Sequence, residues 1–158
     1  MNFKAKRCSL SAKQLLQATP ERVFPLLCPT REYDWIESWN CDLVFSLSGY
    51  AEQDCIFITD FPGDEKDVWV VDRYEPNTLI EFIRVSASRV IRYRISLESA
   101  TPETTLALWE QTVTGLTDEG NRQVESLTNS AFEAKIKGLE KLLNYYLETG
   151  QMLKTAAN

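Results

Sequence analysis

The sequence predicts an α+β fold: a curved antiparallel sheet of six to seven strands, with two short helices after the first strand. A long C-terminal helix lies over the concave face and encloses a cavity. Three observations predict it. Between residues 41 and 114, apolar residues recur with a period of two, in segments broken by turn residues at roughly 10–13-residue spacing. From Gly120 to Thr149 there is no proline, and the apolar period becomes helical. Between these two regions and the first strand, two proline-marked stretches read as short helices.

The first strand is expected over 8–18, where apolar and polar residues alternate imperfectly. Thr19-Pro20-Glu21 then starts a helix, with Thr as cap, Pro in the first turn and an acid beside it. Pro25 bends this helix and Cys28-Pro29 ends it, because the residue before a proline avoids helical backbone. Thr30 is the expected cap of a second short helix through Ile36.

Leu43, Phe45 and Leu47 share one face of a strand that turns at Ser48-Gly49-Tyr50. Strands follow over 55–61 and 67–74, the latter stopped by Glu75-Pro76-Asn77. Two more cover 78–86 and 89–98, then a loop over 99–103, and the last runs from Thr104 to Thr114. Short strands in this order form a meander. On the C-terminal helix, Val124, Leu127, Ala131, Phe132, Ile136, Leu139, Leu142, Leu143 and Tyr146 span an arc of roughly 200°, wider than the stripe of a surface helix. A helix of that kind is gripped on more than one side, and Gly150 stops it. Residues 1–150 read as one domain and 151–158 as a frayed tail.

The order of elements is that of a helix grip. Ala18-Thr19-Pro20-Glu21-Arg22-Val23-Phe24, Trp69 to Pro76 with Ile80-Glu81-Phe82, and Thr104 to Thr112 together resemble the START/polyketide-cyclase-like superfamily (SRPBCC). That superfamily includes pollen-allergen-type carriers and Hsp90-ATPase-activator-like proteins. The resemblance spans about residues 9–147 and implies a ligand cavity. It transfers no catalytic motif, because the superfamily holds carriers, cyclases and chaperone activators alike.

Composition excludes several functions. With 17 basic and 23 acidic residues the net charge is −6, and no basic cluster is present to neutralise a phosphate backbone, so no nucleic-acid partner is expected. The basic start Asn2 to Arg7 has no apolar run behind it, and no window is apolar enough for a membrane span, so a cytoplasmic location is expected. There is no histidine, which removes Ser-His-Asp, Cys-His and His-metal chemistry. Cys8, Cys28, Cys41 and Cys55 stand singly and read as buried reduced thiols. Neither a metal nor a cofactor is expected. A monomer and a weak homodimer are equally compatible with the sequence.

The candidate site lies between sheet and helix. Trp35, Trp39, Phe57, Trp69, Phe82 and Tyr93 all fall in segments facing that space, either as plain core or as pocket lining. Arg84 follows Ile80 and Phe82 on one face, and Glu110 follows Leu106 and Leu108, so both are read as turned inward. Lys135 projects near the middle of the apolar arc, into the cavity or snorkelling to its mouth. The expected function is that of a carrier or sensor for a small apolar or aromatic, lipid- or polyketide-like molecule, its polar end held by Glu110, Arg84 or Lys135. A cyclase or dehydratase-type enzyme using buried Glu110 is the alternative, and an interaction module like the chaperone activators is a further one.

Overall fold

A computed structural model describes residues 2–154. Strand β1 (Arg7–Leu16) is followed by a single helical turn α1 (Pro20–Val23), which runs into a 3-10 turn (Phe24–Leu27). A second 3-10 turn, Glu32–Asp34, precedes strands β2 (Asp42–Phe45), β3 (Ile56–Thr59), β4 (Asp67–Glu75), β5 (Leu79–Val85), β6 (Arg89–Thr101) and β7 (Thr104–Gly115). Helices α2 (Asp118–Ser126) and α3 (Asn129–Thr149) close the chain. All strand pairings are antiparallel and the order is β1-β7-β6-β5-β4-β3-β2, so the meander is closed at one side by β1. The fold is the α+β arrangement expected.

Several local expectations are corrected. The C-terminal helix is two helices, because backbone at Leu127 and Thr128 is extended and Thr128 caps α3 by accepting from the Ala131 amide. Thr117 caps α2 in the same way. A sequence pattern of apolar spacing runs through such a break unnoticed, whereas a Thr cap restarts the hydrogen-bond ladder. At residue 30 the expected cap fails: the Thr30 hydroxyl lies 3.1 Å from Cys28 Sγ, and the second short helix shrinks to three residues. The loop expected over 99–103 is mostly strand, since β6 continues to Thr101, opposite Thr104. Of the expected tail, 151–154 carry no helix or strand, and 155–158 lie outside the described residues, as does Met1.

β1 is an edge strand, and its free backbone groups are taken by polar side chains of α3. Asn129 Oδ1 accepts from Ser11 N at 2.9 Å, Glu140 Oε2 from Leu15 N at 2.7 Å, and Asn144 Oδ1 from Gln17 N at 2.9 Å. Asn144 Nδ2 also donates to Leu15 O at 3.0 Å. These bonds cover an edge that would otherwise invite pairing with another chain. They also fix the rotation of α3, which buries Phe132, Ile136, Leu143 and Leu147 against the sheet. Gly120 is required by packing, because a Cβ there would sit 1.9 Å from the Ser88 carbonyl oxygen. The close approach joins α2 to the β5–β6 turn.

The opposite edge, β2, is different. All four of its residues are exposed, including Leu43, Val44 and Phe45, and Leu47 beyond it is 87% exposed. No helix among the described residues is long and apolar enough to cross a membrane.

Candidate functional site

Paired residues on neighbouring antiparallel strands share a face, so register decides which side chains meet. Phe57 on β3 pairs with Trp69 on β4, and Phe82 on β5 pairs with Tyr93 on β6. Across the next seam Ile95 pairs with Trp109 of β7. These residues form a continuous aromatic wall on the concave face. Phe57 and Trp69 stack at 5.1 Å, Phe82 meets both edge-on at 6.0 and 5.6 Å, and Tyr93 bridges Trp69 and Trp109 at 6.2 and 5.9 Å. Such offset and edge-to-face pairs each add about 0.5–1.5 kcal/mol beyond burial.

The wall does not fill the space under α3. A cavity of about 230 Å³ remains, with the aromatic residues on one side and Lys135 and Leu139 of α3 on the other. The segment between β1 and β2 supplies Glu32, Trp35 and Trp39, and the β3–β4 loop supplies Phe61 and Asp64. Eight of the residues singled out from the sequence therefore line one cavity: Trp35, Trp39, Phe57, Trp69, Phe82, Arg84, Tyr93 and Lys135.

Glu110 does not join them, and its expected inward orientation is corrected. On β7 the inward residues are Thr105, Ala107, Trp109, Gln111 and Val113, all buried, so Glu110 is on the convex face opposite Arg94. The register with β1 enforces this, because Leu16, Gln14, Ala12 and Leu10 pair with Thr105, Ala107, Trp109 and Gln111. Both faces of β7 carry apolar residues, and the leucines at 106 and 108 belong to the outer one.

The indole donors of the wall are already used. Trp69 Nε1 donates to Thr59 Oγ1 at 2.9 Å, Trp35 Nε1 to Leu26 O at 2.8 Å, and Trp39 Nε1 to Pro29 O at 2.8 Å. Trp109 Nε1 donates to Gln14 Oε1 at 2.8 Å, while Gln14 Nε2 reaches the Ile136 carbonyl at 2.8 Å. Gln14 is fully buried and ties β7, β1 and α3 together beneath the cavity.

Arg84 is held at the cavity wall by Asp67, which it meets at 2.6 and 3.2 Å. Asp67 is also 3.3 Å from Arg89 and fully buried, so two guanidinium groups share its charge. Asp64 lies 4.0 Å from Arg84 and 3.8 Å from Arg89, and Glu65 is 3.4 Å from Arg89 and hydrogen-bonded to the Ser88 hydroxyl. This cluster anchors the β3–β4 loop to the β5–β6 turn and so positions Phe61 and Asp64 at the cavity.

Two charge-bearing side chains at the cavity make no hydrogen bond or ion pair among the described residues. The first is Glu32, surrounded by protein while retaining some accessible surface; this burial raises its carboxyl pKa well above the usual range. The second is Lys135, an exposed residue of α3 whose side chain lines the cavity. Desolvation, together with Arg84 and Arg89, lowers its pKa, and Asp64 acts the other way. Burial also raises the Tyr93 phenol, with Glu32 adding to the effect. Glu32, Phe61, Asp64 and Trp109 were not singled out from the sequence. Trp109 shares the inward face of β7 with Ala107 and Gln111, a face set by pairing with β1, and Glu32, in an irregular segment, carries no periodic signal.

Solved structures share this architecture. DynU16, from the dynemicin biosynthetic locus, is similar with a TM-score of 0.61 at 18% identity, over 90% of this chain and 48% of its own. The chain thus spans about half the length of DynU16. Norcoclaurine synthase from Thalictrum flavum, solved with dopamine and hydroxybenzaldehyde, gives 0.65 at 12% identity, covering 92% of this chain and 89% of its own. Major latex-like protein 151 from Panax ginseng gives 0.65 at 11%, covering 89% and 97%. This chain has the helix-grip fold. No protein-family model matches the sequence, and no curated protein matches it. At these identities the helix-grip likeness is one of fold, and function has to be argued from the cavity.

Proposed function

We propose that this protein is a carrier or sensor that holds a small aromatic or apolar molecule between the sheet and α3. The observation that carries the reading is the cavity itself: about 230 Å³ lies open beside a wall of stacked aromatic rings. A protein interior normally packs such space away, and an apolar void forfeits dispersion contacts on every lining atom. A ligand restores them. The volume lies below the ~300–1,000 Å³ common for drug-sized ligands, which favours a molecule of one or two rings. In this reading residues 1–150 work as one unit in the cytoplasm, as a monomer or weak homodimer, with no nucleic-acid partner.

Native mass spectrometry of freshly purified protein, followed by denaturing extraction, tests the proposal. A co-purifying apolar molecule is the expected result. A persistently clean mass, together with no binding of added aromatic compounds, removes the carrier reading.

The enzyme reading, of the cyclase or dehydratase kind, is supported by Glu32 rather than Glu110. A carboxyl group facing the cavity with a raised pKa has the character of a proton donor. The interaction-module reading draws on the exposed apolar residues of β2, but it also requires a cavity filled by side chains, and this one is open.

A further inference from the structure

We infer that the ligand is an aromatic anion, a carboxylate or phenolate on one or two rings, and that Lys135 is the residue that selects its charge. The inference rests on the carrier reading above and narrows its ligand class.

Few charged or hydrogen-bonding groups of the cavity remain available to a ligand. The four indole N–H groups are bound to protein acceptors, so the aromatic wall offers ring faces and little hydrogen bonding. Arg84 faces the cavity, but its guanidinium is committed to Asp67 and lies over the Trp69 ring. Arg89 is committed to Asp67 and Glu65. Asp64, the carboxylate that could repel an anion, sits within 4.0 Å of both arginines. Among the described residues, Lys135 is the cation of this cluster left without a contact of that kind.

Arg84 and Arg89 are paired with Asp64, Glu65 and Asp67, and Lys135 stands outside these pairs. Lys135 lines the cavity and is unpaired, so its ammonium is the cation there open to a ligand's charge. Glu32, the other unpartnered group, is uncharged while protonated and does not oppose an anion. A cationic ligand meets Lys135, and of the carboxyl groups at the cavity Asp64 is near both arginines while burial of Glu32 favours its neutral form.

The test uses three naphthalene probes of one shape: 2-naphthoate, methyl 2-naphthoate and 2-naphthylmethylammonium, titrated against tryptophan fluorescence at pH 7. Lys135→Met keeps the side-chain stem, and the position is exposed, so the variant should fold; its thermal midpoint checks this. The expected result is that naphthoate binds at least about tenfold more tightly than the ammonium probe. Lys135→Met should then weaken naphthoate about tenfold and leave the ester within about twofold. Equal binding of all three probes, or a preference for naphthoate that survives Lys135→Met, overturns this inference and leaves the cavity reading standing. Failure of every probe to bind the parent protein overturns the cavity reading together with it.

Discussion

The guanidinium carbon of Arg84 lies 4.3 Å from the centroid of the Trp69 ring. The two residues are directly opposite one another on β4 and β5, so this contact is a product of register. Asp67, two residues before Trp69 on the same face of β4, supplies the charge that holds the guanidinium there. One alternation therefore places the anion and the ring that together fix Arg84.

Replacing Asp67 should test that arrangement severely. Asp67→Ala leaves two nearly buried guanidinium groups, Arg84 and Arg89, without their shared partner. Removing one member of a buried charge cluster costs about 3–5 kcal/mol. Urea unfolding should show a loss of that size; a change under about 1 kcal/mol would mean that solvent already screens the cluster.

Phe82 meets both Phe57 and Trp69 edge-on, which makes it the corner of the aromatic wall. Phe82→Leu keeps an apolar side chain but removes both ring contacts. Aromatic probe binding should weaken about 2–10-fold, the equivalent of one lost aromatic pair. Calorimetric titration with 2-naphthoate checks this, and unchanged affinity would take Phe82 out of the binding surface.

Gln14 links three elements from a fully buried position. Gln14→Leu retains the bulk but strands the Trp109 indole N–H. An unsatisfied buried donor costs about 1–3 kcal/mol. Thermal unfolding should register a drop of roughly 2–12 °C for a chain of this size, with tryptophan emission altered as Trp109 loses its acceptor.

On β5 the inward set Ile80, Phe82 and Arg84 is marked by the aromatic Phe82, although Leu79, Ile83 and Val85 form an apolar set on the other face. On β7 the outward Leu106 and Leu108 compete with inward Ala107, Trp109 and Val113, and only pairing with β1 breaks the tie. Long-range register is not written in one strand's pattern, and that is why Glu110 was placed on the wrong side. The α2–α3 break escaped for a related reason. Apolar spacing reports which residues face the core, while a cap depends on the backbone at Leu127 and Thr128. Glu32 belongs to a segment with no period at all. Its importance comes from the cavity that other elements build around it.

On the convex face, Asp72 is the extra residue of a bulge in β4 and lies beside Glu81. Burial, then Glu81, raises its carboxyl pKa to about 6, and among the described residues its Oδ1 has no partner. An acid with a raised native pKa binds more protons in the native state than in the unfolded state between about pH 4 and 6. Its contribution to stability therefore falls as pH rises through that window. Asp72→Asn should raise the thermal midpoint at pH 7.5 by roughly 2–4 °C, about 1 kcal/mol, and have little effect at pH 4. Equal effects at both pH values would show that Asp72 is not the group titrating.

Glu32 has the same sign by a simpler cause, since burial alone raises its pKa well above the ordinary carboxylate value. In the unfolded chain it ionises near pH 4.5, whereas in the native protein it keeps its proton until a much higher pH. Stability must then decline from about pH 4.5 upward and level off once the native group has ionised. Glu32→Gln imitates the protonated form at every pH. Urea midpoints should therefore match the parent near pH 4 and exceed it increasingly toward pH 8. A gap that stays constant with pH would mean that Glu32 is ionised in the cavity. In that case the proton donor on which the enzyme reading depends would be absent, and an anionic ligand would have to overcome a second charge.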